Sequence, residues 1–261
     1  MILTAAGVTG NAENQIRSAS SLATYVHYDL TVGKLKVSPG VRHENITLDF
    51  QNFGNSDAGR LGTALREASN QVAVWLPGVG FNYDIHDDFS LFGGVHRGFS
   101  PPGMPSVTST TGQAKPELST NYELGLRYAY KGFNTQLASF LNNYQNILGS
   151  DMVSTGGLGS GDLFNAGRAK IQGIELALDY DLLFKEDGDS DLRLPLSVAY
   201  TFTDARFQET FRGGGGDFGS GQINKGDLIP FTTPQMLTLS LAIENRRFNA
   251  TLVGQIGRAS C

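Results

Sequence analysis

Cysteine is nearly missing from this chain: among 261 residues there is one, Cys261, and it is the last. A single thiol can build no disulfide, no thiolate metal site and no redox pair. Basic runs are missing as well. Lys and Arg number 20 against 25 Asp and Glu, for a net charge of −5. Such a chain lacks the concentrated positive face of a nucleic-acid binder, so no nucleic-acid partner is expected. No apolar run approaches the roughly 18 residues of a membrane-spanning helix. The start, MILTAAGVTGNAENQIRSAS, has neither the basic residues nor the apolar core of a signal peptide.

Catalytic and metal patterns are equally sparse. His27, His43, His86 and His96 are scattered, with no HxxxH or HExxH spacing, so no metal and no cofactor is expected. No serine sits in a GxSxG elbow, which argues against an enzyme of the lipase type. GGLGSGD at Gly156 to Asp162 misses the dinucleotide pattern GxGxxG by one residue. RGGGGDFGSG at Arg212 to Gly221 resembles glycine-aspartate calcium repeats but occurs once, whereas such sites need stacked copies.

What the chain does have is glycine, 33 residues of it, and alternation. From Asn121 to Tyr130 the even positions are large and apolar (Tyr122, Leu124, Leu126, Tyr128, Tyr130) and the odd ones polar or small. Period two predicts a β-strand with one apolar face. Lys131-Gly132 then predicts a tight turn into a second strand through Phe133, Leu137 and Leu141. Leu22 to Val32 alternates before a Gly33-Lys34 turn and a return through Val41; Trp75 to Ile85, Phe89 to Phe99, Gly173 to Leu182, Leu194 to Phe202, Leu237 to Ile243 and Phe248 to Ile256 follow. Residues 1 to 21 look like the end of a loop. From Gln51 to Val74 the pattern vanishes into a polar loop with one short helix expected over TALREASN, Thr63 to Asn70.

The expectation is about ten strands of about ten residues, the length that crosses a bilayer at a tilt near 45°. Short and long connections alternate, so all the turns fall at one end and all the loops at the other. An outer-membrane barrel follows this plan, with aromatics (Trp75, Phe89, Phe99, Tyr130, Phe133, Tyr144, Tyr180, Phe202) at its two interfaces. A soluble sandwich would have shorter strands and no such sorting of loops. The predicted fold is therefore all-β, an antiparallel up-and-down transmembrane β-barrel segment. Tyr122, Leu124, Leu126, Tyr128 and Tyr130 should face the bilayer, and Glu123 and Arg127 the lumen.

Four segments carry a family resemblance: SPGVRHE at Ser38 to Glu44, LPGVGFNYDIHDDFSLFGGVHRGFSPP at Leu76 to Pro102, KPELSTNYELGLRY at Lys115 to Tyr128, and NAGRAKIQGIELAL at Asn165 to Leu178. In order and spacing they resemble the barrel of TonB-dependent outer-membrane receptors, especially the ferric-siderophore and ferric-citrate type, from about Ala23 to Arg258. The resemblance implies a barrel of 22 strands around a plug domain, a ferric siderophore or similar bulky ligand, and a TonB system acting through the plug. It also implies that residues 1–261 are one part of that barrel, roughly strands eleven to twenty, without signal peptide, plug or final strands, and that the terminal IGRASC is a foreign end.

The ligand-binding candidates are Arg97, beside the Pro101-Pro102 pair and similar to the family's RGF-x-PP pattern, and Arg212 in a glycine-rich loop. Either guanidinium could pair with an anionic ferric chelate. Arg60, Arg66 and Arg168 are weaker loop candidates, since loop arginines are usually only solvated. Asp151, Asp162, Asp217 and Asp227 make the loops acidic. The competing function from another class is a passive porin or a β-structured adhesion protein.

Overall fold

In the computed structural model, residues 14–103, 105, 115–150, 163–165, 167–185, 191–212, 221–230 and 232–258 are described. They are all β. The strands are β1 (Gln15–His27), β2 (Leu30–Val32), β3 (Leu35–Asn52), β4 (Arg66–His86), β5 (Phe89–Ser100), β6 (Glu117–Tyr130), β7 (Phe133–Gln145), β8 (Leu148–Ser150), β9 (Leu163–Asn165), β10 (Ala169–Asp181), β11 (Pro195–Phe207), β12 (Phe211–Arg212), β13 (Gln222–Ile223), β14 (Gln235–Glu244) and β15 (Asn249–Arg258). Ten of them form one antiparallel path, β1-β3-β4-β5-β6-β7-β10-β11-β14-β15, with β2 beside β3; β8-β9 and β12-β13 are small separate ladders in the loops. Every neighbour on the path is the next long strand in sequence, the up-and-down order expected. The sheet is open, with β1 and β15 at its edges.

The hairpin of β6 and β7 shows why these residues make this sheet. Lys131 and Gly132 both have positive φ, 47° and 77°, the pair a two-residue turn of the mirror-image type requires. The turn locks Tyr130 opposite Phe133 and Leu126 opposite Leu137, so the apolar positions of both strands share one face. Register carries this face across the sheet: Leu91, Leu126, Leu137, Leu176, Tyr200, Leu237 and Ile256 stand in one row. At the turn end Tyr128, Tyr130, Phe133 and Tyr180 form an aromatic chain, with centroids 5.9–6.5 Å apart. At the loop end Trp75 stacks on His43 at 4.4 Å.

The side chains between these aromatic edges are large, apolar and exposed: Leu124 is 52% exposed and Leu252 76%. A band of this kind is insoluble in water and stable against acyl chains, so this face is the outward, lipid-facing one. Two polar positions interrupt it on β7, and both conceal their polarity. The Thr135 hydroxyl donates to the Ala177 carbonyl at 3.0 Å and the Ser139 hydroxyl to the Leu124 carbonyl at 3.1 Å. Tyr122, Leu124, Leu126, Tyr128 and Tyr130 lie on the outward face and Glu123 and Arg127 on the opposite one, as the alternation indicates.

Two expectations fail near the loops. Residues 15–21 are strand rather than loop, paired with Asn52 through Ile46. The stretch from Gln51 to Val74 is strand at both ends: β3 runs to Asn52 and β4 starts at Arg66, so TALREASN ends as β-strand, and no helix forms there. The physical reason is an inversion of faces. Below Trp75 the outward positions of β4 are apolar (Pro77, Val79, Phe81, Tyr83); above it the inward ones are, and Val72 and Val74 are only 3% and 8% exposed. On β3 the inward Leu48 and Phe50 are buried beside them, while Asn45, Thr47, Asp49 and Gln51 turn outward.

The same inversion recurs on β10 and β11. Ile174 and Phe202 close the outward band; beyond them Ile171, Ala169, Ala205 and Phe207 face inward, and Gln172, Lys170, Asp204 and Arg206 outward. Ile223 and Ile229 cover this inward patch from the loop between β11 and β14. That loop is laced to the strand by the Phe207 N–H to Asp227 carbonyl bond (3.0 Å) and the Ile229 N–H to Ala205 carbonyl bond (3.0 Å). Tyr144, expected at the lipid interface, packs against the same inward cluster.

Candidate functional site: the inner wall and its loops

The inward face below the inversion is the wall of the lumen, and its floor is glycine. Gly40 pairs with Gly78, Gly78 with His96, and Gly80 with Gly94, so four glycines tile the inward positions of β3, β4 and β5. Without side chains the sheet surface recedes. A groove of about 540 Å³ lies there, bordered by His27, Arg42, Phe92, His96 and Glu123. A Cβ on Gly78 would stand 2.9 Å from the His96 Cβ, and one on Gly94 2.9 Å from the Val79 carbonyl oxygen, so neighbouring residues already use this closeness.

Beside the groove two phenylalanines lie flat across glycines. A Cβ on Gly125 would meet the Phe92 ring at 2.3 Å, and one on Gly173 the Phe140 ring at 2.6 Å. The Arg127 guanidinium stacks on the Phe92 ring at 3.8 Å and donates to Gln136 at 2.8 Å. Glu44, 6% exposed, is paired with Arg42, and Lys36 reaches Asp29 at 3.4 Å. The wall is thus polar, and it suits a hydrated or protein-filled interior.

Among the described residues no three metal-binding side chains converge. The histidines serve locally: His27 lies 3.5 Å from Asp29, His86 3.4 Å from Asp88, and His96 3.1 Å from the Asn121 amide.

The arginines divide. Arg60 donates to Asn14 Oδ1 at 2.8 Å and lies over Phe53 at 5.5 Å. Arg66 opens β4 opposite Asn52 rather than sitting in a loop, and Arg168 pairs with Glu209. Arg97 is exposed on β5 opposite Thr120, in register with Val95 and Tyr122 and so on the outward face, just above the apolar band. Arg212 pairs through its backbone with Gln222 in the β11 to β14 loop, and its side chain lies outside the described residues. Asp151, Asp162 and Asp217 lie outside them as well, as does GGLGSGD; Asp227 accepts the Asn224 N–H at 2.8 Å.

A knot at the head of β1 and β3 carries no sequence signal that alternation could reveal. Asp57 is 3% exposed, and its carboxylate accepts the backbone N–H groups of Leu61 (2.8 Å), Gly62 (2.7 Å) and Thr63 (3.0 Å). The Leu61 bond first, then those of Gly62 and Thr63, hold its pKa below the ordinary value of 3.8 against the opposing pull of burial. The Asn14 amide, from the start of the chain's described part, donates to the Asp57 carbonyl at 2.8 Å and to that of Gly54 at 3.0 Å. Asn14 and Asp57 are polar residues in loop-like sequence. Only the meeting of positions 43 apart gives them a role.

A family model described as TonB dependent receptor-like, beta-barrel matches residues 3–257. The pesticin receptor of Yersinia enterocolitica is 29% identical over 165 residues, which are 61% of this chain and 23% of that receptor. The solved ferric yersiniabactin uptake receptor FyuA from Yersinia pestis has the same fold, with a TM-score of 0.60 and 18% identity over 91% of this chain and 33% of its own. The FrpB iron transporter from Neisseria meningitidis gives a TM-score of 0.62 and 16% identity over 94% of this chain and 33% of its own. The chain therefore spans about a quarter to a third of the length of these proteins. Matched over nearly its whole length, it belongs to the TonB-dependent receptors of the Gram-negative outer membrane and forms part of their β-barrel.

Proposed function

We propose that this chain is a section of the barrel wall of an active import receptor, which takes up a ferric siderophore or a similarly bulky nutrient and is driven by a TonB system acting through a plug. The observation that carries the reading is the pairing of an exposed apolar belt with a recessed, polar inner wall whose glycine floor leaves room for a body against it. The family match and the iron-uptake receptors among the structural neighbours support the same reading. The long loops at one end form part of the basket that captures the ligand. Within it the Arg212 guanidinium is positioned in sequence to pair with the negative charge of a ferric chelate.

The test is uptake of radiolabelled iron, presented as a panel of ferric siderophores, by cells expressing the intact receptor that contains this chain. Accumulation that disappears in a TonB-deficient strain is the expected result. Uptake of small solutes that is indifferent to TonB would replace this reading with a passive porin, and binding to surfaces without any uptake would replace it with an adhesion protein.

A further inference from the structure

Two of the long loops share one anchor. Tyr144 and Ile147, where β7 passes into the β7 to β10 connection, pack against the same buried cluster that Ile223 and Ile229 close from the β11 to β14 connection, with Ala169, Ala205 and Phe207 between them. Because these last three point inward, the residues that cover them stand on the lumen side of the wall. This part of the rim therefore leans into the mouth of the barrel.

Backbone bonds fasten the same unit. The ladder of β7 and β10 continues through the Ile147 N–H to the Gly167 carbonyl (3.0 Å) into β8 and β9, and that of β10 and β11 through the Gln208 N–H to the Arg168 carbonyl (2.8 Å). On the returning limb, Asn224 to Asp227 form a turn closed by the Asp227 N–H to Asn224 carbonyl bond (3.1 Å), with Gly226 at φ 96°. The Gly226 N–H donates to the Phe207 carbonyl at 2.9 Å, beside the bonds that join Phe207 to Asp227 and Ala205 to Ile229. Between the loops Arg168 pairs with Glu209, and Gly167 lies so close to Glu209 that a Cβ would stand 2.8 Å from its Oε2. Lifting the β11 to β14 loop breaks these backbone bonds and wets a buried aromatic at once, and no new contact offsets either cost.

We infer that the two loops form one rigid sector of the rim, which stays in place while a ligand is bound and imported. The inference rests on the import reading above and gives the sector a task within it. It is a preformed wall, which needs no ordering of the chain when a ligand meets it. Any closure over the ligand falls to the other loops.

The experiment staples the loop to the strand. Arg206 and Leu228 bridge as an antiparallel pair flanked, rather than joined, by hydrogen bonds. In that geometry the Cα atoms lie about 4.5 Å apart, within the range a disulfide spans. In the intact receptor carrying Arg206→Cys with Leu228→Cys, uptake of radiolabelled iron from the panel of ferric siderophores should agree within about twofold between the closed and the reduced disulfide. Uptake lost on oxidation and regained on reduction would overturn the inference. A second measurement needs no ligand, so it decides the matter even where no siderophore is imported and the import reading itself fails. In hydrogen exchange on the wild-type receptor the amides of Ile147, Phe207, Gly226 and Ile229 should be protected to one common degree. Ile223→Ser should lower the protection of Gly226, Ile229 and, in the other loop, Ile147 by about tenfold or more. Weak protection of Gly226 and Ile229 in the wild type, or an Ile147 amide indifferent to Ile223→Ser, would overturn the single rigid sector.

Discussion

Strand β4 passes through two environments that obey opposite rules. Between Ile85 and Trp75 its large residues point away from the sheet's packed side; between Val74 and Arg66 they point into it. At about 3.3 Å per residue, its 21 residues reach about 70 Å, far more than a bilayer needs even at a tilt. The excess is a collar above the membrane, built like an ordinary soluble sheet with its apolar side inside. The lower part is stabilised by its surroundings and the upper part by its own packing. Where the face inverts, at Trp75 on β4 and between Gln172 and Ile174 on β10, is where hydrocarbon gives way to water.

The collar should therefore respond most strongly to the loss of packed volume. Phe207 is 1% exposed, meets Phe211 edge-on at 5.2 Å and is covered by the loop residues Ile223 and Ile229. Phe207→Ala should cost about 3–5 kcal/mol in denaturant refolding of the intact receptor. Phe202→Ala, five residues earlier but facing lipid, should cost clearly less, because acyl chains fill the space that protein cannot. Equal losses would mean that the two regions are packed alike.

Charge should show the reverse contrast. Leu126→Arg places a guanidinium in the band and should cost about 2–4 kcal/mol. Gln71→Arg, outward on the collar, should change stability by less than about 0.5 kcal/mol. Spin labels sharpen the same contrast without relying on energies. Oxygen accessibility should exceed aqueous-quencher accessibility at Leu126 and fall at Arg127. At Gln71 the aqueous quencher should dominate, while at Val72 neither should reach the label. The idea that the face inverts does not survive if Val72 and Gln71 give the pattern of Leu126 and Arg127.

Legibility from the sequence divided along the same boundary. In the band a single phase of alternation holds from turn to turn, so Tyr122 to Tyr130 identified the strand, its face and its turn at once. At the collar two phases meet in the run Val72 to Pro77, where Val74, Trp75 and Leu76 are consecutive and apolar. A reading that follows one phase finds only small or polar residues above Trp75 and assigns the stretch to a loop. The glycine floor was recoverable in principle, because Gly78 and Gly80 occupy the polar phase of a strand that needs no flexibility there. At Arg97 the residue type near a strand end suggests a ligand contact, while register assigns the residue to the outward face with Val95 and Tyr122. The Asp57 knot was out of reach, because its partners lie on segments that alternation does not connect.

Packing on the inner wall is a smaller effect. Gly125→Ala drives a methyl group into the Phe92 ring, 2.3 Å from the new atom. The ring can shift only by leaving Arg127, so the change should cost about 1–3 kcal/mol. The new methyl also stands 2.8 Å from the Leu137 carbonyl oxygen, so Phe92→Leu in the same chain should recover only the part of the loss due to the ring, whereas Phe140→Leu, at the neighbouring pair over Gly173, should recover none.

The slightest expected effect concerns acid and the collar's loop. Asp57 titrates below the usual carboxylate value because its charged form accepts three backbone N–H groups. A depressed folded pKa contributes stability that is fully present above the unfolded value, near 3.8, and is lost as pH falls through the folded one. Between pH 8 and 5 the loop of residues 53–65 should thus be unaffected, and below about pH 4 it should loosen. A nitroxide at the exposed Ser56 reads this as sharpened spectral lines in the intact receptor. With Asp57→Asn the label should be mobile at every pH, since an amide presents one acceptor and a donor to three N–H groups that all need acceptors. The band offers no counterpart: a label at Leu126 should hold one line shape throughout, because the surrounding acyl chains do not titrate.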